Sequence, residues 1–118
     1  MTNEKGAAVA QKTAPKVAIT YARGWHLTFS NGVTVSVQFG PGNYCQNRHL
    51  SIDDPSGYAS RLHALECPSA EVAVWDRSGK WITKDIAKAL GLDESDDVLG
   101  YVNPDTIARI IHCAMGEA

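Results

Sequence analysis

The sequence predicts an α+β domain with an antiparallel sheet, built from two hairpins plus additional strands and covered on one face by a C-terminal helix. Three observations lead to this prediction. Alternating apolar and polar runs flank Asn31-Gly32, two shorter runs flank the tripeptide "RSG" at residues 77–79, and the residues after Asn103 repeat apolar side chains with a helical period. Strands followed mostly by helices, without regular alternation of the two, are typical of this class.

The chain is expected to contain one domain, because 118 residues fall near the common domain size and no internal stretch has the composition of a linker. Residues 1–15, "MTNEKGAAVAQKTAP", are polar and alanine-rich and predict a disordered N-terminal arm. The predicted domain therefore covers residues 16–118. It begins with "KVAITYA", which has the pattern of a strand.

The clearest hairpin signal is "WHLTFSNGVTVSVQF", residues 25–39. A two-residue turn would place Phe29 opposite Thr34 and mix apolar with polar groups on each face. A three-residue loop with Gly32 in the left-handed conformation avoids this, because cross-strand partners share one face of a sheet. The register expected from this loop is Phe29 with Val33, Leu27 with Val35 and Trp25 with Val37, with His26, Thr28, Thr34 and Ser36 on the other face.

A second hairpin is predicted where "EVAVWD" and "KWIT" flank "RSG". The same loop length pairs Trp75 with Trp81, and such an aromatic pair contributes about 0.5–1 kcal/mol. Both faces of this hairpin carry large apolar groups, so it is either covered on both sides or exposes a tryptophan. An exposed tryptophan would indicate a binding surface, because tryptophan is enriched at binding hot spots.

The remaining elements are a short helix, a strand and the last helix. "TKDIAKALGL" predicts the short helix, with Thr83 as its N-cap and Gly91 as a left-handed stop. "VLGYV" predicts another strand. "NPDTIARIIHCAM" predicts the last helix, with Asn103 as N-cap and Pro104 at the first helical position. The apolar stripe expected to lie on the sheet consists of Ile107, Ile110, Ile111 and Ala114.

Composition argues against several classes of function. The formal charge is −2, and the chain has no basic excess of the kind that contacts to phosphate require, which disfavours nucleic-acid binding. No apolar run approaches the eighteen or so residues of a membrane helix, and the first residues lack the apolar centre of a signal peptide. Three cysteines are too few for a disulfide framework. We therefore expect a cytoplasmic protein.

One set of side chains has the composition of a zinc site. Cys45, His49, His63 and Cys67 form the pattern C-x3-H-x13-H-x3-C, and zinc favours thiolate and imidazole ligands. The spacing is wider than that of the usual C-x2-4-C knuckle. The alternative interpretation is two buried or half-buried cysteines and two surface histidines in a long loop. We favour this alternative, and no cofactor is expected.

Cys45 is also a candidate nucleophile, since it follows the glycine turn "GPGNY" and lies close in sequence to Arg48 and His49. Nothing in the sequence fixes a base beside it, and free cysteine is most often a small buried hydrophobic residue. No carboxylate pair, triad order or cofactor fingerprint is present. We therefore expect a binding protein rather than an enzyme, with the Cys45 sulfur facing the core.

Three segments carry a resemblance: "WHLTFSNGVTVSVQFGPGNYCQNR", "AEVAVWDRSGKW" and "VLGYVNPDTIARII". In this order they resemble small uncharacterised proteins encoded by tailed phages, prophages and other bacterial mobile elements. The likeness covers residues 25–111, and "SVQFGPGNYC" is its specific part. The resemblance implies expression in a bacterial cytoplasm. By analogy of context, it implies binding to a host protein, as in inhibitors of defence systems of the anti-CRISPR kind.

On this hypothesis the contact surface is the outer face of the sheet together with the "GPGNY" loop. The expected binding residues are Asn43, Tyr44, Trp75 and Trp81. Two alternatives remain open, namely a zinc-stabilised binding domain and a cysteine-dependent enzyme centred on Cys45.

Overall fold

A computed structural model of the chain describes residues 13–20, 24–50, 66–93 and 96–116. Within them, five strands form one antiparallel sheet in the order in which they occur along the chain. Two helices follow the second hairpin, and the predicted α+β class is confirmed. The elements are β1 (Lys16–Ile19), β2 (Gly24–Thr28), β3 (Thr34–Gln38), β4 (Ala70–Trp75), α1 (Thr83–Leu90), β5 (Leu99–Val102) and α2 (Pro104–Ala114).

The β2–β3 hairpin has the expected three-residue loop. The Gly32 amide donates to the Phe29 carbonyl at 2.8 Å, and the Phe29 amide donates to the Val33 carbonyl at 2.9 Å. Gly32 has a φ of 88°, a conformation that glycine adopts without a steric penalty. The expected register is thereby confirmed, and the next pairs are Leu27 with Val35 and Trp25 with Val37.

The second hairpin is also confirmed, and its loop is held by one carboxylate. Trp75 forms a bridge with Trp81, as the sequence predicts. The Asp76 carboxylate accepts from the backbone amides of Ser78 at 2.9 Å and Lys80 at 3.0 Å. Hydrogen bonds from Ser78 hold the pKa of Asp76 below its ordinary value. The loop that presents Trp81 is therefore fixed at its base.

The hydrophobic core lies between one face of the sheet and both helices. Strands β3 and β4 direct every second side chain into it, which is the period of a pleated strand, whereas Val17 and Ile19 of β1 are exposed. Ile110 of α2 is fully buried, and Ala114 is nearly so, while Ile107 and Ile111 pack at the margin, so the predicted stripe is confirmed. The core residues on the strands are Val35, Val37, Ala70, Val72, Val74, Leu99 and Val102.

The prediction of Thr83 as an N-cap is wrong. The cap position is Ile82, which has no side-chain cap, and Thr83 is the first residue of α1. Its buried hydroxyl accepts from the Val74 amide at 2.9 Å and contacts the Val74 carbonyl at 3.3 Å. The hydroxyl completes the hydrogen bonds of β4 instead of those of the helix. Gly91 ends α1 with a φ of 72°, as expected.

Helix α2 begins and ends on asparagine contacts. The Asn103 side chain accepts from the Thr106 amide at 2.8 Å, so the predicted N-cap is confirmed. At the other end, the Asn31 side chain donates to the Ala114 carbonyl at 3.0 Å. This second bond attaches the tip of the first hairpin to the C-terminus of α2.

Most of the predicted disordered arm, residues 1–12, lies outside the described residues. At its end, the Thr13 amide donates to the Ser30 carbonyl at 3.0 Å, so the chain runs beside the first hairpin before β1 begins. Across the described ranges, neither helix has the length and apolar character needed to cross a membrane.

Candidate binding surface

The "GPGNYCQNR" segment is a chain reversal organised by two asparagines. The Asn43 side chain accepts from the Gly40 amide at 2.9 Å. The buried Asn47 amide group donates to the carbonyls of Phe39 at 2.7 Å and Glu66 at 3.0 Å. Asparagine side chains substitute for backbone partners in turns of this kind. The segment therefore connects the end of β3 to the residues that precede β4.

Cys45 lies within this reversal with 1% of its surface exposed, so the expected burial is confirmed. Its thiol points at the Gly40 carbonyl, 3.9 Å away. Burial, with the neighbouring Cys67 thiol adding to it, raises the pKa of Cys45 to about 11. The thiolate that a nucleophile requires is therefore scarce at neutral pH.

The four candidate zinc ligands are placed only in part. Cys45 and Cys67 are neighbours, and the Cys67 thiol donates to the Gln46 side-chain oxygen at 3.4 Å. His49 is exposed, and His63 lies outside the described residues. Among the residues that are described, no three histidine, cysteine, aspartate or glutamate side chains cluster as metal ligands would. Zinc binding stays an untested alternative to the expectation of no cofactor.

The sheet face opposite the two helices is here called the uncovered face, because no described helix packs on it. The register places these side chains on it: His26 of β2, Ser36 and Gln38 of β3, and Glu71, Ala73 and Trp75 of β4. Polar groups therefore form most of its surface, as the alternation in the first hairpin predicts.

Tryptophans provide the large apolar groups of the uncovered face. The ring of Trp75 meets the edge of His26 at 5.1 Å between centroids and lies 5.7 Å from the ring of Trp81. Trp81 is 49% exposed, so of the two outcomes predicted for this hairpin the exposed tryptophan is the one observed. Burial, and secondarily the charge of Lys16, lowers the pKa of His26. The imidazole beside Trp75 is thus mostly neutral at physiological pH.

Trp75 lines two grooves on this face. The smaller has a volume of about 180 Å³ and the larger one of about 510 Å³. The smaller groove is lined by Ser36, Gln38, Glu71, Ala73, Trp75, Trp81 and Val98. The larger is lined by Thr13, Ala14, Lys16, Thr28, Gly32, Thr34, Trp75, Asp76, Arg77 and Gly79.

The "GPGNY" loop reaches the end of the smaller groove through Asn43, whose side chain donates to the Glu71 carboxylate at 2.9 Å. Tyr44 lies over Gly100, where a β-carbon added to the glycine would be 3.0 Å from that of Tyr44. Since the neighbouring Leu99 points into the core, Gly100 is on the uncovered face. The four residues predicted to bind a partner, Asn43, Tyr44, Trp75 and Trp81, therefore border one surface.

Tyr44 is 43% exposed, and its ring lies 4.3 Å from the Arg48 guanidinium in a cation–π contact. Its carbonyl accepts from the Tyr101 amide at 2.8 Å. Tyr101 has a φ of 54°, the one non-glycine residue of the described chain in the left-handed region. A strained residue thus attaches the loop to β5.

Glu71, Gln38 and Val98 line the smaller groove but were not among the predicted site residues. The alternation along "EVAVW" could have placed Glu71 with Trp75, two pleats apart on one face. Val98 gave no such signal, because its position depends on how β5 pairs with β4.

Fold and surface together define a small α+β domain with an exposed aromatic cluster on the uncovered face, on which no helix of the described ranges packs. Comparisons with protein families, with curated proteins and with solved structures give no match.

Proposed function

We propose that this protein acts by binding another protein through the uncovered face, with Trp75 and Trp81 as the central contacts and Asn43 and Tyr44 at the margin. The observation that carries the proposal is the tryptophan pair, one ring of which is half exposed above a rigid sheet. Tryptophan is prominent among the few residues that supply most of the free energy of protein association.

The surface is held in one arrangement before any partner arrives. Trp75 is part of β4, an interior strand of the sheet, and Trp81 is bridged to it across a loop that Asp76 fixes. A preordered surface loses less conformational entropy on association, which leaves more of the contact free energy for affinity. This favours a role in recognition.

The partner that fits the resemblance to phage-encoded proteins is a protein of the bacterial host. We propose a cytoplasmic accessory protein that inhibits a defence system by occupying a surface of one of its components. The buried thiol of Cys45, with its raised pKa, gives the cysteine-dependent enzyme less support than the exposed tryptophans give to binding.

Site-specific photo-crosslinking in bacterial cells tests the proposal. A photoreactive amino acid replaces either Lys80, beside Trp81, or Lys88 on α1, and both lysines are exposed. We expect a discrete adduct from position 80 and little from position 88. The adduct should disappear when Trp81→Ala is combined with the probe at position 80. Equal adducts from both positions, or none from position 80, would remove the proposal.

A further inference from the structure

We infer that the smaller groove accepts a positively charged side chain of the partner, a lysine or an arginine, whose charge meets the Glu71 carboxylate. The inference deepens the proposed function and rests on it, because it names the chemical group that the uncovered face recognises. Three properties of the groove support it, namely its shape, its unneutralised charge and its aromatic wall.

The shape suits a long side chain with a charged end. Trp75, Trp81 and Val98 form apolar walls, and Ala73 lies between the tryptophans and Glu71. Alternate residues of a strand are about 7 Å apart, so Glu71 and Ala73 follow each other along the groove floor. The hydrocarbon part of a lysine or arginine would lie on Ala73 and Trp81 while its charged group reaches Glu71.

The charge of Glu71 is not neutralised by any described residue. The partner of its carboxylate is the Asn43 amide group at 2.9 Å, a neutral donor that orients one oxygen. Gln38, the cross-strand neighbour, is occupied, since it accepts from Thr20 at 2.9 Å and donates to Ser36 at 3.1 Å. Among the described residues, Glu71 is therefore the group of the groove whose charge has no oppositely charged partner.

The aromatic wall adds to the preference for a cation. The face of a tryptophan ring carries negative electrostatic potential and attracts ammonium and guanidinium groups. The segment that leads to Val98 contains the exposed Asp96 and Asp97, which add negative charge near the groove. An anionic ligand would be repelled here, and a neutral apolar one would leave Glu71 facing it without compensation.

Peptide titrations of the isotope-labelled full chain test the inference directly. The probes are acetyl-Gly-Lys-Gly-amide and the same peptide with arginine or norleucine in the middle, and the signal is the indole N–H of Trp81. We expect saturable shifts with the lysine or arginine peptide and affinity at least about fivefold weaker for norleucine, which has the hydrocarbon chain without the charge. Glu71→Gln removes the negative charge but keeps an oxygen that accepts from Asn43. It should therefore weaken lysine binding by a similar factor without changing the shape of the groove.

Equal affinity for lysine and norleucine, unchanged lysine binding in Glu71→Gln, or no binding of any peptide would overturn the inference. These outcomes are separable from failure of the proposed function. If the adduct from position 80 forms but the lysine and norleucine peptides bind equally, the protein–protein contact is supported and the cationic group is not. If the lysine peptide binds but no adduct forms in cells, the preference of the groove for a cation is supported and the proposed protein partner is not.

Discussion

The two faces of the sheet are formed by the same strands but differ in how far their side chains are buried. On the covered face, Val35, Val72 and Val74 are completely buried under the helices. On the uncovered face, half of the Trp81 surface is exposed, and the polar side chains of Ser36, Gln38 and Glu71 line the same groove as the tryptophans. Burial of apolar area supplies most of the stability of a domain, so the covered face should determine whether the chain folds. The exposed aromatic surface is then available for contacts outside the molecule.

The largest expected effect is on the covered face. Ile110→Ala should lower the free energy of unfolding by about 2–5 kcal/mol, because it removes a fully buried side chain and leaves a cavity. Urea denaturation measures this, and Ile110→Val, with an expected loss of about 0.5–1.5 kcal/mol, serves if the alanine variant does not fold. Trp81→Ala on the uncovered face should lose about 1 kcal/mol or less. Equal losses for the two alanine variants would contradict the division between the faces.

The next largest effect concerns Cys45 and depends on pH. Because folding raises the pKa of this thiol from 9.0 to about 11, its contribution to stability is complete below pH 9.0 and is lost as pH rises from there through 11. The loss should be on the order of 3 kcal/mol by linkage. The free energy of unfolding is measured for the native chain and for Cys45→Ala at several alkaline pH values. The difference between the two proteins isolates the contribution of the thiol, since the other titrating groups are common to both. If the free energies of unfolding of the two proteins changed with pH in parallel, the burial of the Cys45 thiol would be contradicted.

A smaller effect is expected at Thr83, the first residue of helix α1, which packs on the covered face. Thr83→Val keeps the shape of the side chain but removes the hydroxyl that serves both backbone groups of Val74. We expect a loss of about 1–3 kcal/mol in the free energy of unfolding, as for other buried polar groups left without partners. Thr83→Ser retains the hydroxyl and should lose less. A valine variant as stable as the native chain would contradict this role of the Thr83 hydroxyl.

The smallest effect is expected on the uncovered face, in the titration of His26. Burial beside Trp75 lowers the pKa of this histidine, so Trp75→Leu should move that pKa back toward its ordinary value of 6.5. Lys16→Gln should raise it as well, because the lysine charge is the second cause. Proton resonances of the imidazole report the change. A pKa that neither substitution moves would contradict the packing described for this face.

The elements could be predicted where neighbouring residues determine them. The loop at Gly32, the Trp75–Trp81 pair and the Asn103 cap each depend on residues a few positions apart. Thr83 was misassigned because a local capping rule competed with the needs of the adjacent strand. The groove at Glu71 was missed for a different reason. It depends on pairing between β3 and β4, which lie far apart in sequence, and on the position of Val98.

The most direct test of the account is the affinity of the crosslinked partner, once purified, for the native chain and for Trp81→Ala. We predict that the dissociation constant rises at least about thirtyfold, as for a hot-spot residue, while Ile110→Val binds like the native chain. A dissociation constant within about twofold of the native value in a folded Trp81→Ala protein would contradict the assignment of the uncovered face as the binding surface.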